Sequence, residues 1–139
     1  MQREIFESRL KVRTYELDSY GHVNNAVYLN YLELARMEVL EAKGLTLDGL
    51  KRDGYLLLIS RVEIEYKYPA FAGDLLVIRT HLADHRATSG TFAQEIIRQT
   101  DQKTIAKARV TWVVTNLQGR PVRMPPAICQ AFHIDLKGH

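Results

Sequence analysis

The stretch richest in reactive side chains is Tyr15–Arg36, YELDSYGHVNNAVYLNYLELAR. Asp18, Ser19, Tyr20, Gly21, His22, Asn24 and Asn25 crowd a short segment that feeds straight into a run of helix formers. A loop entering a helix leaves the first backbone N–H groups without intrahelical partners, and the helix dipole adds to their pull on negative charge. Such donors can receive the oxyanion that develops when a carbonyl is attacked. A carboxylate opposite that oxygen, here Asp18, can attack the carbonyl itself or take a proton from water. These are the parts of an acyl-transfer site. The same residues also have a plain structural use. Asp-Ser-aromatic-Gly strings close tight turns, His22 reads as a hydrogen-bonded structural histidine, and Asn24 and Asn25 are good helix caps.

No other grouping competes with this one. His81 and His85 are read as straddling a strand and a turn, and with the distant His133 and His139 they make a poor zinc set. Cys129 has no partner motif and reads as an inert thiol. No glycine-rich phosphate loop is present, which argues against nucleotide hydrolysis. Glu33 and Arg36 stand three apart and read as an ordinary helix ion pair, with Glu33 a reserve carboxylate.

The elements that must hold Asp18 follow from periodicity. Residues 6 to 14 alternate apolar Phe6, Leu10 and Val12 with charged neighbours, the mark of a half-buried strand. Arg61–Tyr68 alternates Val62, Ile64, Tyr66 and Tyr68 against Arg61, Glu63, Glu65 and Lys67, and Pro69 ends it. Leu75–Leu82, Thr91–Thr100 and Thr104–Leu117 read as further strands, joined by a tight Asp101-Gln102 loop and by longer connections at Ala70–Asp74 and Asp84–Gly90. Ala26–Lys43 is different: free of Gly and Pro and rich in Leu, Ala, Glu and Met. Asn24 or Asn25 caps it and Gly44 stops it. Its scattered polar residues predict burial on much of its circumference, and Leu47–Lys51 reads as one more helical turn. The expected architecture is α+β: a curved antiparallel sheet of about five strands, the last four as a meander, wrapped round one long helix. The two sheet edges predict pairing with a second copy.

Composition sets the bounds. The 139 residues suffice for one core and predict a single domain over 1–139. A net charge of +3 is too mild for a nucleic-acid binder and suits a small anionic ligand. One cysteine excludes an internal disulfide framework. The N-terminal MQREIFESRL lacks an apolar signal core, and the densest apolar run, Tyr55–Ile59, is far too short for a membrane span. The expected location is the cytoplasm, without membrane contact.

The string from Asp18 to Tyr28, DSYGHVNNAVY, resembles the signature of the 4-hydroxybenzoyl-CoA thioesterase-like hotdog-fold proteins. Tyr66, Pro69, Ala70, Gly73 and Asp74 match the family's Tyr-x-x-Pro-Ala-x-x-Gly-Asp pattern, and Gly119–Pro125 matches a typical tail. The resemblance spans roughly residues 5 to 132. It implies a hotdog fold and an acyl-CoA thioesterase, with an acyl carrier protein thioester as the alternative substrate and a non-catalytic acyl-thioester binding module as the rival class. It implies Asp18 as nucleophile or general base, the Asn25 backbone N–H as oxyanion donor, Gly21 as the tight-turn residue and Tyr28 as a wall of the acyl pocket. Ser60 and Arg61 are implied as pantetheine contacts and Arg86 as a phosphate contact. The related enediyne-pathway enzymes carry Asn at the Asp18 position and depend on an Arg matching Arg36. No metal and no organic cofactor is implied, and the assembly is a homodimer or homotetramer.

Overall fold

The computed structural model describes residues 3–136. His139 and the chain's first two residues lie outside that range. Among the described residues one antiparallel sheet holds β1 (Phe6–Lys11), β2 (Leu56–Tyr66), β3 (Leu75–His85), β4 (Ser89–Arg98) and β5 (Thr104–Thr115). Three helices accompany it: α1 (Asn25–Ala42), α2 (Leu47–Arg52) and α3 (Pro126–Ala131). The α+β class expected from the sequence holds.

The α1 boundaries follow from its caps. Asn24 is extended, and its side chain accepts from the Ala26 N–H. Gly44 stops the helix with φ +72°, a conformation that costs glycine nothing. Tyr28, Tyr31, Leu32, Ala35, Val39 and Leu40 form the buried stripe, the i, i+3, i+4 spacing that seats a helix on a sheet. Burial does not extend round the circumference as expected. Leu29 and Leu34 remain more than 40% exposed, because the sheet covers only one side of the helix.

The sheet is not the expected meander. Its order is β1-β3-β4-β5-β2, so only β3, β4 and β5 follow one another, while β2 pairs with β5 and forms an edge. Strand limits shift for local reasons. β2 begins at Leu56, ahead of the alternating stretch, because the register shifts between Ile59 and Arg61 and Ser60 is the extra residue of a bulge. β3 runs on to His85 and β4 starts at Ser89, so the connection is three residues rather than the expected longer loop. The β4–β5 connection is longer than two residues and uses Gln102 at φ +58°. α3, which the sequence patterning does not reveal, starts with Pro126 at its first turn, where the absent N–H costs nothing.

Two apolar clusters fill the space between α1 and the sheet. One gathers Tyr28, Tyr31, Leu32, Ile78, Ile96 and Val110. The other gathers Val39, Phe92, Trp112, Val114, Met124 and Ile128. In the second cluster the Trp112 ring lies against Gly90 on the neighbouring strand. An added Cβ there would stand 2.2 Å from Cζ2. Gly90→Ala is expected to lower stability by about 1–3 kcal/mol through overpacking, read as a drop in thermal midpoint. An unchanged midpoint would mean that the ring has room to move.

The β2–β3 connection, residues 67–74, has to cross the ends of β5 and β4 to reach β3. That crossing brings Pro69, Ala70 and Phe71 to the end of the sheet where α1 begins.

Candidate active site

Asp18 sits in a turn that uses half of its carboxylate. Its Oδ1 accepts from the N–H groups of Tyr20 (2.9 Å) and His22 (3.1 Å). Its own N–H donates to the His22 carbonyl at 2.7 Å, and Gly21 N–H donates to the Asp18 carbonyl at 3.1 Å. Gly21 adopts φ +77°, which this turn requires and which other residues reach only with strain. Oδ2 has no hydrogen-bond partner among the described residues. Asp18 is half-buried, so that oxygen is reachable.

The helix start is equally selective. Asn24 N–H donates to the Glu16 carbonyl, Ala26 N–H to Asn24 Oδ1 and Val27 N–H to the Asn24 carbonyl, each at 2.9 Å. The Asn25 N–H alone of these four has no acceptor among the described residues. Tyr66 holds that residue in place by donating its hydroxyl to the Asn25 carbonyl at 3.2 Å.

The crossing segment braces both. Val23 N–H donates to the Ala70 carbonyl at 2.9 Å, and Ala70 N–H donates to the Tyr28 hydroxyl at 3.2 Å. His22 forms an isolated bridge with Phe71, their rings edge-on with centroids 5.2 Å apart. The imidazole itself makes no hydrogen bond among the described residues, unlike the hydrogen-bonded histidine expected; its contacts are with the Phe71 and Tyr20 rings. Tyr28 is buried and packs on Tyr66 at 5.4 Å. Burial raises its hydroxyl pKa, the Ala70 N–H opposes that, and the Tyr66 and Asp18 charges add to the rise. Below them Tyr31 donates to Glu16 Oε1 at 2.8 Å, and Arg13 pairs with Oε2 at 2.6 Å. Burial pushes the Glu16 carboxyl up, but the hydrogen bonds from Arg13 and Tyr31 outweigh it and hold the group below its ordinary range. Glu16 is thus fully engaged as a foundation of the loop. In the sequence, Tyr66 and Ala70 stand out only as motif positions. Their bonds to Asn25 and Tyr28 give that motif its physical meaning.

Asp18, Gly21, Asn25 and Tyr28 are brought together at one end of the sheet. Ser60, Arg61 and Arg86 are not. Ser60 is the β2 bulge residue, its hydroxyl on the Thr111 carbonyl at 3.3 Å. Arg61 is exposed and pairs with Glu63 at 3.2 Å. Six residues of strand separate Ser60 from Tyr66, roughly 20 Å. Arg86 lies exposed in the β3–β4 connection, at the opposite end of β3. That strand's length, roughly 33 Å, separates it from the Asp18 end of the same chain.

Two side expectations need correction. Arg36 donates to Gln94 Oε1 at 3.0 Å rather than pairing with Glu33, because its helix position turns it toward the sheet while Glu33 faces outward. Gln94 is itself buried and donates to the Leu32 carbonyl and Thr80. His81 and His85 both lie on β3, not on a strand and a turn. Among the described residues no group of three or more ligands could hold a metal ion, and no helix is long and apolar enough to cross a membrane.

A cavity of about 180 Å³ opens between α1, β2 and α3. It lies toward the far end of α1, lined by side chains of Met37, Leu40, Leu57 and Trp112.

Comparison with known proteins gives this arrangement a context. The profile described as the thioesterase-like superfamily matches residues 12–132. The acyl-acyl carrier protein thioesterase ATL3, chloroplastic, of Arabidopsis thaliana is 37% identical over 129 residues, covering 93% of this chain and 68% of its own length. The long-chain acyl-CoA thioesterase FadM of Escherichia coli is 34% identical over 112 residues, covering 81% of this chain and 84% of its own. Among solved structures, a probable thioesterase from Escherichia coli superposes with a TM-score of 0.81 at 30% identity, covering 94% of this chain and 98% of its own. A 1,4-dihydroxy-2-naphthoyl-CoA thioesterase from Synechocystis superposes with a TM-score of 0.88 at 20% identity over 94% of this chain and 96% of its own, a likeness of fold.

Proposed function

This chain belongs to the thioesterase-like superfamily, is an enzyme of the hotdog fold, and on that footing we propose that it hydrolyses acyl-CoA thioesters through Asp18 and the Asn25 backbone N–H. One observation carries the reading. At a single loop–helix junction, Asp18 Oδ2 and the Asn25 amide have no partner among the described residues, while Asp18 Oδ1 and the amides of Asn24, Ala26 and Val27 are all bonded.

Each has work in thioester hydrolysis. The Asn25 N–H, backed by the α1 dipole, polarises the thioester carbonyl and receives the oxyanion. Asp18 Oδ2 then acts in one of two ways. As nucleophile it bonds to the carbonyl carbon, and collapse of the oxyanion breaks the C–S bond. CoA thiolate leaves, is protonated by solvent, and water hydrolyses the mixed anhydride. As general base, Oδ2 takes a proton from water while the water oxygen adds to the carbonyl; collapse again expels the thiol. Oδ1 stays fixed by the Tyr20 and His22 amides in both. Tyr28 and Gly21 shape the site, Tyr28 as an apolar wall anchored at Ala70. No step draws on a metal or an organic cofactor. The catalytic unit assigned is one domain of all 139 residues, working in the cytoplasm.

Ser60, Arg61 and Arg86 fit this reading only if another copy supplies them, since they stand far from Asp18 of their own chain. The exposed β2 edge supports such an assembly. Leu58, Ile59, Val62 and Tyr66 are each at least 40% exposed on an eleven-residue edge strand, a surface that isolated proteins blunt. We therefore expect a dimer or dimer of dimers, checked by light scattering at micromolar concentration. A clean 16.0 kDa species would remove the shared site.

Arg86→Ala is expected to raise KM for acyl-CoA several-fold with little change in kcat, because a phosphate contact remote from the thioester binds ground and transition states alike. The effect should shrink at high salt. An unchanged KM at low salt would leave Arg86 a solvated turn residue.

The decisive assay follows thiol release from CoA and carrier-protein forms of the same short, long and aromatic acyl groups. The similarity to ATL3, named for acyl-acyl carrier protein substrates, is the reason to run the carrier-protein arm. Absence of turnover on every substrate would leave an acyl-thioester binding module.

A further inference from the structure

The Asp18 turn and the start of α1 are joined through a residue outside the proposed chemistry. Glu16 is only 7% exposed and ends a single 3₁₀ turn at Thr14–Glu16. Its Oε1 accepts from the Arg13 N–H and from the Tyr31 hydroxyl, both at 2.8 Å, and its Oε2 accepts from the Arg13 guanidinium at 2.6 Å. Its carbonyl accepts the Asn24 N–H at 2.9 Å. One residue thus ties together the chain leaving β1, the cap of α1 and the second turn of that helix. Asp18 lies two residues after Glu16, and Asn25 one residue after Asn24.

Tyr31 completes the arrangement. It is 2% exposed, and its ring meets Tyr28 edge-on with centroids 6.0 Å apart. Burial and the bond to Glu16 both raise the pKa of its hydroxyl, so it stays a donor.

A network of this kind is a costly way to fill a core. A buried carboxylate loses its hydration. Replacing both members of a buried polar pair by apolar groups of similar shape often leaves stability unchanged or raises it. Apolar residues at positions 16 and 31 would therefore seat the loop against α1 without that cost. What they would not supply is direction. Apolar contacts slide, whereas a fully satisfied polar network fixes one arrangement. The place where such fixing has a use is the space between Asp18 Oδ2 and the Asn25 N–H, since both must address one carbonyl group.

Building on the thioesterase reading, we propose that Glu16 and Tyr31 are positioning residues, which set the separation of Asp18 Oδ2 and the Asn25 N–H that thioester hydrolysis requires. They act through the Asn24 cap and the Asp18 turn, and they make no contact with the substrate. Arg13 is the counter-ion of the pair.

The test combines Glu16→Met with Tyr31→Phe, which removes the carboxylate and its buried donor together. The Arg13 side chain is 52% exposed and can turn to water. The thermal midpoint of this double variant is expected to stay near the parent's and KM to change little. Its kcat should fall about tenfold or more, toward the hundredfold that a misplacement of about 1 Å costs. Glu16→Gln keeps an Oε1 that can accept from Tyr31 and from the Arg13 N–H, and should recover most of the lost kcat. A double variant with parental kcat overturns the proposal, whatever its midpoint. So does a Glu16→Gln variant no more active than the double variant, because the bonds to Oε1 would then not be what counts. If the double variant does not fold, Tyr31→Phe alone carries the test, assayed below its midpoint. Lowered kcat at parental KM supports the proposal, and a lowered midpoint with parental kcat overturns it. Turnover by the parent protein is measured first. None on any thioester would remove the thioesterase reading and this proposal with it, whereas turnover that these variants leave unchanged removes the proposal alone.

Discussion

Asp18→Asn is expected to fold like the parent protein and to lose on the order of 10²- to 10⁴-fold in kcat. The geometry makes this an unusually clean substitution. The two turn-closing bonds from Tyr20 and His22 go to Oδ1 alone, and an asparagine carbonyl oxygen can accept both. What changes is Oδ2, the uncommitted oxygen, replaced by an amide that can neither attack nor take a proton. Thermal midpoint and affinity for a non-hydrolysable acyl-CoA analogue should therefore stay near the parent values. Asp18→Ala removes the turn bonds as well, and should add a stability loss of about 1 kcal/mol for each bond forfeited. If Asn cost stability and left kcat unchanged, Asp18 would be a turn residue only. The search for the carboxylate would then pass to Glu33, or to chemistry depending on Arg36.

Asn25→Pro should be nearly as damaging, for the opposite reason. The proposed donor is a backbone N–H, so Asn25→Ala should retain most activity. Proline removes the N–H outright, and position 25 is the first residue of α1, where proline is well tolerated. The residue before it must be extended, and Asn24 already is, at φ −63° and ψ 139°. The helix should therefore persist with its cap. Loss of one oxyanion donor costs about 10²- to 10³-fold in kcat. Circular dichroism establishes the helix content, and kcat on the preferred thioester separates the two variants. A proline variant as active as the alanine variant would remove the amide from the mechanism.

The helix was legible because its signals are local: Leu, Ala, Glu and Met between an asparagine cap and Gly44 set α1 to within a residue at each end. Alternation likewise exposed β1 and most of β2. The first five residues of β2 were hidden because Leu56–Ile59 is a continuous apolar run and the bulge at Ser60 interrupts the period of two. α3 was masked by Pro125 and Pro126, which read as breakers although the second begins the helix. Strand order was beyond reach, since nothing in β2 itself says that its partner is β5. The candidate site divides the same way. Residue types pointed to Asp18 and the helix start, but not to which carboxylate oxygen is engaged or which amide is spare. Those depend on Glu16, Ala70 and the Asp18 turn closing in three dimensions. The separation of Arg86 from Asp18 followed only from the direction of β3.

The strand order also has a bearing on how the chain acquires its structure. The β3–β4–β5 hairpins join near neighbours, but β1 meets β3 across more than sixty residues of sequence and β2 meets β5 across forty or more. Long-range pairings of this kind close slowly, since loop entropy is lost before any contact rewards it. The three central strands are thus the natural nucleus, with β1, α1 and β2 docking onto it afterwards. The loop carrying Asp18 is held by Ala70 in the segment that leads from β2 to β3. It takes its final shape only once both edges are in place, so catalytic competence should be the last property the folding chain gains.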